Sequence, residues 1–444
     1  MVEQIATQFK HKDHFYLKKE CILRRGKSDY AIYNIFNGDL ISLEDEIGSV
    51  LEMAEGGNSI DEIAKHRRKD TASVINILQK VKNWGFGDYF SKRIYIEKYR
   101  EGRLANITVF DIPVINKCYI ELPSSCSRDC TFCGYPTLFP CITCTKVKGN
   151  LDEPSLKQIL HRIIQMQCNS LVIHGGDPII NMPQLISIIE FCRKEGFANR
   201  ISIITNGNLI DNSVMESLKK YSIHLIIPFF PASKMGSNYE EITYYKNIIE
   251  LLHYYDVSFE ATKVTLESTP DAPNSFLGVD HKPQNFVSAA IYDGDISQKK
   301  GKYPKLLDTC LRVKANVYYH NINHHPCLDG TLAITTEGNI LPCPHLRNEI
   351  LGTYHDPRII DTIFKNRRIF DYWDLPLSAI DECRDCEFQY GCMDCRAIEA
   401  RLTGNIHGKK LCTFSKIENK DLIQNVTTGE EQFIQCNLDR QKKK

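Results

Sequence analysis

The feature that most constrains the fold is an alternation of short apolar runs with helical patterns, which begins at Lys117. Amphipathic segments such as SLKQILHRIIQMQ and MPQLISIIEFCRKEG separate most of the apolar runs. Strands that alternate with helices in this way form a parallel sheet. We therefore expect an α/β fold built on an open, partial (β/α)6 barrel, with six strands at KCYIEL, SLVIHGG, RISIITNG, IHLIIPFF, VSFEATKV and FVSAAIYD.

Residues 1–95 read as a separate small domain. Asn37-Gly38 lies between two apolar runs and predicts a hairpin. Ser42 is the expected N-cap of a first helix, and Ser59 with Glu62 forms a capping box for a second. A hairpin packed on three short helices is a winged-helix-like layout, and its apolar helix positions are Ile47, Val50, Leu51, Ala54, Val74, Ile77, Leu78 and Val81.

Charge and hydropathy exclude several classes of protein. Lys plus Arg and Asp plus Glu both number 55, which argues against a general binder of nucleic acid or membrane surfaces. The basic block at 65–69 reads as a solvated turn rather than a phosphate-contacting patch. The polar N-terminus does not resemble a signal peptide, and no run of about 18 apolar residues exists. The sequence predicts a cytoplasmic protein that binds neither nucleic acid nor membrane.

The 18 cysteines point to metal or redox chemistry, because disulfides are disfavoured in the cytosol. Cys126, Cys130 and Cys133 have the spacing C-x3-C-x2-C and directly follow the first predicted strand of the barrel. Loops after parallel strands carry active sites in such folds. A [4Fe–4S] cluster takes four thiolates, so three ligands leave one iron open for a small molecule. The alternatives are a structural zinc site that lacks its fourth ligand, or three incidental thiols.

The run CSRDCTFC, including Phe132 before its last cysteine, resembles the signature of radical S-adenosylmethionine (SAM) enzymes. Two further segments resemble family motifs at successive strand ends. The first, HGGDP, stands where the family has Gly-Gly-Glu-Pro, whose backbone holds the SAM amino group, and the second, TNG, resembles the ribose-contacting turn. The resemblance assigns cofactor binding to Phe132, Gly175, Gly176, Asp177, Pro178, Thr205 and Asn206.

The same resemblance implies a mechanism and two cofactors. A [4Fe–4S] cluster on Cys126, Cys130 and Cys133 binds SAM, and an electron from a reductant such as flavodoxin or ferredoxin cleaves the sulfonium. The resulting 5′-deoxyadenosyl radical removes a hydrogen atom from the substrate. Cys141 and Cys144 have no place in this scheme. They are either two ordinary loop thiols or a pair at the active-site mouth that handles substrate cysteines or another metal.

The downstream cysteines, together with Gly338 before Cys343, resemble a SPASM domain, which binds two auxiliary iron–sulfur clusters. The resemblance implies two [4Fe–4S] clusters, one of them left with an open iron that Cys310 could fill. Two zinc knuckles are the alternative, because C-x2-C pairs also bind zinc. The implied ligands are Cys383, Cys386, Cys392 and Cys412 for the distal cluster, and Cys327, Cys343 and Cys395 for the one nearer the substrate.

Taken in order, these segments resemble peptide maturases, and most closely the subtilosin-type sactipeptide synthases. The implied partner is a precursor peptide whose leader adds a strand to the N-terminal hairpin. The implied reaction links a cysteine sulfur to a carbon in a bacteriocin-like product. Epimerisation, carbon–carbon crosslinking, a sulfatase-type maturase and an iron–sulfur redox-sensing DNA binder remain open. The expected units are 1–95 for leader recognition, 96–115 as linker, 116–310 as radical SAM core, 311–425 as SPASM domain and 426–444 as a flexible tail.

Overall fold

The computed structural model describes residues 13–99, 114–128, 133–138, 141–149, 151–229, 238–266, 286–291, 313–392 and 394–409. Most of the predicted linker at 96–115 and the whole predicted tail at 426–444 lie outside these residues.

Within its described residues, the N-terminal unit contains two small antiparallel sheets and three helices. One sheet has the order β2-β3-β4, and the other pairs β1 with β5. The turn between β3 and β4 uses Gly38 with a φ of 92°, a conformation that glycine adopts without strain. The elements are β1 (His14–Leu17), β2 (Cys21–Arg25), β3 (Tyr30–Asn34), β4 (Leu40–Leu43), α1 (Asp45–Glu55), α2 (Ile60–Arg67), α3 (Thr71–Asn83) and β5 (Gly87–Phe90).

The predicted capping box at the start of α2 is present, since the Ser59 and Glu62 side chains each bind the other's backbone N–H. The expected cap of α1 was wrong. Ser42 lies inside β4, and Glu44 occupies the N-cap position without a side-chain hydrogen bond. The reason is burial: Leu43 is only 2% exposed, so the strand continues through it and the helix begins later.

The centre of the protein is a ten-stranded sheet with the order β15-β14-β13-β6-β8-β9-β10-β11-β12-β7. All six predicted strands are present and pair in parallel with their neighbours in chain order, which gives an α/β fold with a mostly parallel central sheet. The strands are β6 (Lys117–Glu121), β7 (Thr137–Leu138), β8 (Ser170–His174), β9 (Arg200–Ile204), β10 (His224–Phe229), β11 (Ser258–Leu266), β12 (Phe286–Ile291), β13 (Thr331–Ile334), β14 (Asn339–Leu341) and β15 (Gly352–Thr353).

The two faces of this sheet have different neighbours. Alternate strand residues such as Ile120 and Ile173 pack in the large core shared with the crossover helices. The residues between them, including Tyr119 and Val172, form a smaller cluster on the opposite face. The helices between the strands are α4 (Glu153–Gln165), α5 (Met182–Lys194), α6 (Asn212–Lys220) and α7 (Asn238–Tyr254).

The segment after residue 310 contributes more to the sheet than its sequence suggested. We expected cysteine ligation rather than a core to organise it, yet β13 pairs in parallel with β6, and β14 and β15 extend that edge. All four residues of β13 are buried. The apolar segment of β13 is only four residues long and lies between Cys327 and Cys343, so the sequence did not indicate a strand there. The helices of this region are α8 (Ala315–Asn323), α9 (Ile359–Lys365), α10 (Phe370–Trp373), α11 (Asp381–Arg384) and α12 (Arg396–Thr403).

A buried ionic network organises the C-terminal region around Asp394. Its carboxylate accepts hydrogen bonds from Arg396 Nη2 at 2.6 Å, Lys409 Nζ at 2.6 Å and His325 Nε2 at 3.1 Å. Burial alone would raise the pKa of Asp394, but the His325 hydrogen bond and the charges of Lys409 and Arg396 outweigh it and hold that pKa well below its usual value. Asp394 is therefore an anion that ties three segments together.

His325 connects this network to the backbone of a predicted ligand loop. Its Nδ1 accepts hydrogen bonds from the backbone N–H groups of Cys327 at 3.0 Å and Leu328 at 3.1 Å. An Nδ1 that accepts leaves the proton on Nε2, which donates to Asp394. Burial lowers the pKa of His325, consistent with a neutral imidazole. The position of Cys327 thus depends on a carboxylate adjacent to Cys395.

The N-terminal sheet packs directly on the C-terminal region. The Tyr33 hydroxyl donates to the Glu387 carbonyl at 2.6 Å, and the backbone N–H of Val313 donates to the Gly38 carbonyl at 2.7 Å. The Tyr33 ring also meets the rings of Tyr318 and Tyr390 at centroid distances of 5.0 and 6.4 Å. Removing residues 1–95 would uncover this apolar surface.

Replacing Asp394 by alanine should lower the free energy of unfolding by about 3–5 kcal/mol, because Arg396 and Lys409 would lose their buried counter-charge. Urea denaturation of anaerobically purified protein, followed by circular dichroism, measures the change. The matched control is Asp381→Ala, which breaks the ion pair between Asp381 and Arg384. The Asp381 side chain is 84% exposed, so its loss should lower the free energy of unfolding by less than about 1 kcal/mol. Equal effects of the two substitutions would contradict a central role for the network.

Candidate active site

The candidate site lies where β6, β8 and β9 end, at the carboxyl edge of the parallel strands. The loop after β6 carries Cys126 and Cys133, both partly exposed and not in a disulfide. Cys130 and Phe132, which belong to the same predicted signature, lie outside the described residues.

The turn after β8 requires both of its glycines. Gly175 has a φ of 153°, and a Cβ there would lie 2.4 Å from the Leu122 carbonyl oxygen. A Cβ on Gly176 would lie 2.5 Å from the Ser125 carbonyl oxygen. The Asp177 backbone N–H donates to that same Ser125 oxygen at 2.9 Å. The glycine turn is thus held in close backbone contact with the start of the cysteine loop.

Asp177 joins the glycine turn to the turn after β9. Its Oδ1 accepts hydrogen bonds from Thr205 Oγ1 at 2.9 Å and from the Ile179 N–H at 3.2 Å. Thr205 Oγ1 in turn accepts the Gly207 N–H at 3.1 Å. Asp177 Oδ2 is buried and makes no hydrogen bond within the described part of the chain. Burial raises the pKa of Asp177. An acceptor of this kind fits a cationic amino group, as SAM would supply.

Hydrogen-bond donors surround the cysteine sulfurs. Cys126 Sγ accepts from Asn206 Nδ2 at 3.2 Å and from the Arg128 N–H at 3.4 Å, and Cys133 Sγ accepts from the Lys146 N–H at 3.4 Å. Donors to sulfur favour the thiolate and tune the potential of an iron–sulfur cluster. The structure therefore brings together the described residues of all three predicted motifs, and they fit a cluster with SAM beside it.

Cys141 and Cys144, the two cysteines left open by the sequence, have different neighbours. Cys144 Sγ donates to the Gly176 carbonyl at 3.3 Å, so it lies against the glycine turn. Burial raises the pKa of Cys141, and the thiols of Cys343, Cys327 and Cys395 are the next largest causes. The two thiols therefore have different surroundings.

Cys327, Cys343 and Cys395, the predicted ligands of one auxiliary cluster, lie within electrostatic reach of one another. Burial raises the pKa of each thiol to about 12, and each has another member of the group among the causes that raise it further. Thiols in such surroundings become thiolates only with a cation beside them. The group could thus hold a metal centre.

The predicted ligand side chains in the described residues are not gathered around a single point. Among them, no group of three or more His, Cys, Asp or Glu side chains could hold a single metal ion. One zinc ion holds its thiolates about 3.8 Å apart, whereas a four-iron cluster spreads its ligands around a larger body.

The remaining predicted ligands form a second group next to the N-terminal unit. Cys383 and Cys392 share a small apolar cluster, and the Cys386 N–H donates to the Cys383 carbonyl at 3.0 Å. Burial raises the pKa of Cys383 to about 12, and Lys409 is the first of the charges that lower it. Cys412 lies outside the described residues, three positions after that lysine.

The sequence analysis did not identify two polar residues of β6 that lie on the face opposite the large core, here called the inner face. Burial raises the pKa of Tyr119, and the Cys141 thiol nearby raises it further. Glu121 pairs with Arg347, whose Nη1 lies 3.1 Å from its Oε2. The period-two alternation of β6 could have placed both side chains opposite the apolar Cys118 and Ile120. Only the fold shows which residues they meet.

Comparison with known proteins agrees with this geometry. Residues 120–268 match the profile of the Radical SAM superfamily. This domain belongs to the radical SAM superfamily. A radical SAM cyclopropyl synthase, TigE of Paramaledivibacter caminithermalis, is 22% identical over 221 residues, which are 47% of this chain and 47% of that protein. The match therefore spans about half the length of this curated relative.

Two solved structures resemble the chain more distantly. Native anSMEcpe with bound AdoMet is 17% identical with a TM-score of 0.47, over 65% of this chain and 92% of that one. BtrN in complex with AdoMet and 2-DOIA is 13% identical with a TM-score of 0.36, over 63% of this chain and 98% of that one. At these TM-scores neither likeness bears on the function of the radical SAM domain. In the described part of the chain, no helix has the length and apolarity that a membrane span requires.

Thr205→Val should raise the Kd for SAM about tenfold, since it removes the hydrogen bond to Asp177 and the acceptor for the Gly207 N–H. Equilibrium dialysis of the cluster-loaded protein with labelled SAM gives the Kd. Thr71→Val, at the exposed start of α3, is the control and should leave the Kd unchanged. An unaltered Kd for Thr205→Val would show that the Asp177–Thr205 contact does not shape the SAM site.

Proposed function

We propose that this protein is a radical SAM enzyme that crosslinks a precursor peptide, joining a cysteine sulfur to a carbon of another residue. The observation that carries the proposal is the position of the Cys327, Cys343 and Cys395 group. Burial raises the pKa of Tyr119 in β6, and the thiols of Cys141, Cys327 and Cys343 raise it further, so these cysteines lie near the strand whose following loop bears Cys126 and Cys133. A second redox centre beside the radical source suits an oxidative crosslink.

Each cysteine group has a separate role in this proposal. Cys126, Cys130 and Cys133 hold the catalytic [4Fe–4S] cluster, and the turns after β8 and β9 hold SAM. When bound, the cluster and SAM together supply the radical that removes a hydrogen atom from a substrate carbon. The downstream groups hold two auxiliary clusters, with Cys383, Cys386, Cys392 and Cys412 as ligands of the distal one.

The reaction balances if a group in the protein accepts one electron. A thioether forms when one C–H and one S–H bond break and one C–S bond forms. One hydrogen atom leaves as part of 5′-deoxyadenosine, and the other leaves as a proton and an electron. That electron needs an acceptor close to the substrate, and the cysteine group beside Tyr119 is where the chain can provide one.

The N-terminal sheet offers a surface for the leader of the peptide. β3 is paired on both sides, whereas β4 is an edge strand. An extended peptide can add to such an edge through backbone hydrogen bonds. The basic block at 65–69 is partly neutralised, because Arg67 and Lys69 pair with Asp45 and Glu46 of α1. This pairing favours peptide recognition over the alternative of a DNA-binding sensor.

Carbon–carbon bond formation is a second candidate, and one observation favours it. The relative matched over about half of each chain is named a cyclopropyl synthase, and closing such a ring joins two carbons. Carbon–carbon closure also removes two hydrogens, so mass alone does not separate it from a thioether. Epimerisation leaves the mass unchanged, and a sulfatase-type maturase would oxidise a side chain without a crosslink.

Incubating the reduced enzyme with SAM and a cysteine-containing peptide encoded beside its gene should give a product lighter by about two hydrogens per crosslink. One 5′-deoxyadenosine should form per crosslink. Mass spectrometry after iodoacetamide treatment decides the bond type: a thioether consumes one alkylatable thiol, whereas a carbon–carbon bond consumes none. Absence of SAM cleavage by the reduced, cluster-loaded enzyme would refute any radical SAM activity and leave the sensor alternative.

Ser42→Pro tests recognition at the β4 edge. The Asn34 N–H donates to the Asp39 carbonyl, and antiparallel pairs alternate, so the Ser42 N–H points away from β3. Proline there removes one edge donor and should raise the Kd for the leader peptide at least tenfold, while SAM cleavage without peptide stays unchanged. Fluorescence anisotropy with a labelled leader measures binding.

The matched control for this test is Ser42→Ala, which keeps the backbone N–H and should bind the leader as the parent protein does. Equal leader affinity for the proline and alanine variants would exclude β4 as the docking edge.

A further inference from the structure

We propose that Cys141 is the fourth protein ligand of the auxiliary cluster held by Cys327, Cys343 and Cys395, so that every iron of this cluster has a cysteine ligand. The proposal rests on the proposed function only in taking that cluster to be present. It assigns a role to a residue from the loop after the radical SAM signature, whereas its partners come from the C-terminal region.

The contacts of Ile142 fix Cys141 next to these partners. The Ile142 carbonyl accepts a hydrogen bond from His345 Nε2 at 3.1 Å, and His345 stands two residues after Cys343. The Ile142 side chain is 2% exposed and packs in one cluster with Ala333 and Leu341, on the strands that lead to Cys343. The loop therefore lies against the segment that carries the nearest predicted ligand.

Further hydrogen bonds hold the two residues that follow Cys141. The Ile142 N–H donates to Thr137 Oγ1 at 2.8 Å, and the Thr143 carbonyl accepts from His174 Nδ1 at 2.8 Å. Cys141 also lies near Tyr119, since burial raises the pKa of Tyr119 and the Cys141 thiol raises it further. A mobile loop thiol would not show this many specific contacts, and they argue against the interpretation of Cys141 as an ordinary loop cysteine.

Any cluster held by these four cysteines must offset the charge of their thiolates. Cys141 lies within electrostatic reach of Cys327, Cys343 and Cys395, and Lys117 is the one lysine that acts on both Cys141 and Cys327 among the causes resolved for the described residues. Four thiolates beside one lysine would repel each other strongly in a low-dielectric site. Four irons are the natural counter-charge, since a [4Fe–4S] cluster takes four cysteine thiolates.

A closed cluster changes how the crosslink can form. An open iron could bind the substrate thiolate, but a fully ligated cluster has no such position. It can accept the electron released when the bond forms, while the protein holds the substrate thiol elsewhere. Cys310, which lies outside the described residues, is then not needed as the fourth ligand.

The test uses full-length protein in which Cys126, Cys130 and Cys133 are replaced by alanine, so that only the auxiliary clusters remain. This parent should contain about eight irons per chain. Adding Cys141→Ala should lower the content to about seven after mild oxidation and change the EPR spectrum of the reduced protein. Two matched controls, Cys144→Ala in the same loop and Cys310→Ala, should leave both readouts unchanged.

Two outcomes would overturn the proposal. One is an unchanged iron content and spectrum for Cys141→Ala, and the other is the same loss on Cys310→Ala instead. If Cys141→Ala does not fold, Cys141→Ser replaces it, because an oxygen ligand should still shift the spectrum. Titrating the parent with free cysteine adds a test without any change at Cys141: a closed cluster leaves the spectrum unaltered, and a shift shows an open iron. None of these readouts depends on peptide modification, so a failure of the proposed function would be seen separately.

Discussion

The arrangement of the C-terminal half depends on the buried carboxylate of Asp394. It binds two cations, Arg396 and Lys409, and the neutral His325. Glu399 Oε1 lies 3.1 Å from Lys409 Nζ and offsets part of its charge. Burying separated charges costs several kcal/mol each, and here each charge meets its opposite. Since these residues flank cysteines of both downstream groups, one ionic network sets the distance between two predicted metal centres.

In the candidate active site, too, a few hydrogen bonds connect several segments. Asn206 binds the sulfur of Cys126, and Thr205, its neighbour, binds Asp177. A shift of the turn after β9 would therefore disturb the cysteine loop and the glycine turn together. One carboxylate oxygen of Asp177 accepts the Thr205 hydrogen bond, and the other makes no hydrogen bond within the described residues. The same hydrogen bonds thus position both the cysteine loop and the two turns predicted to bind SAM.

The sequence predicted the features that leave a local signature. Parallel strands buried on both faces give continuous apolar runs, so all six were found, and the capping box of α2 was equally visible. The prediction of Ser42 as an N-cap was wrong because burying Leu43 in β4 stabilises the strand more than a Ser42 cap would stabilise the helix. The short β13 was hidden among cysteines. The neighbours of Cys141 could not be foreseen, because sequence spacing does not report contacts between residues from opposite halves of the chain.

The meeting of Cys141 with Cys327, Cys343 and Cys395 has a consequence for biogenesis. Closing a contact between distant segments costs chain entropy before any bond rewards it. A preformed metal site of this kind does not exist in the unfolded chain, and metal binding contributes to folding free energy. Insertion of the cluster must therefore follow, or accompany, the docking of β13 beside β6. A chain whose synthesis stops after the radical SAM domain would carry the first ligand of this site without the other three, so cluster insertion can serve as a check that the whole chain has been made.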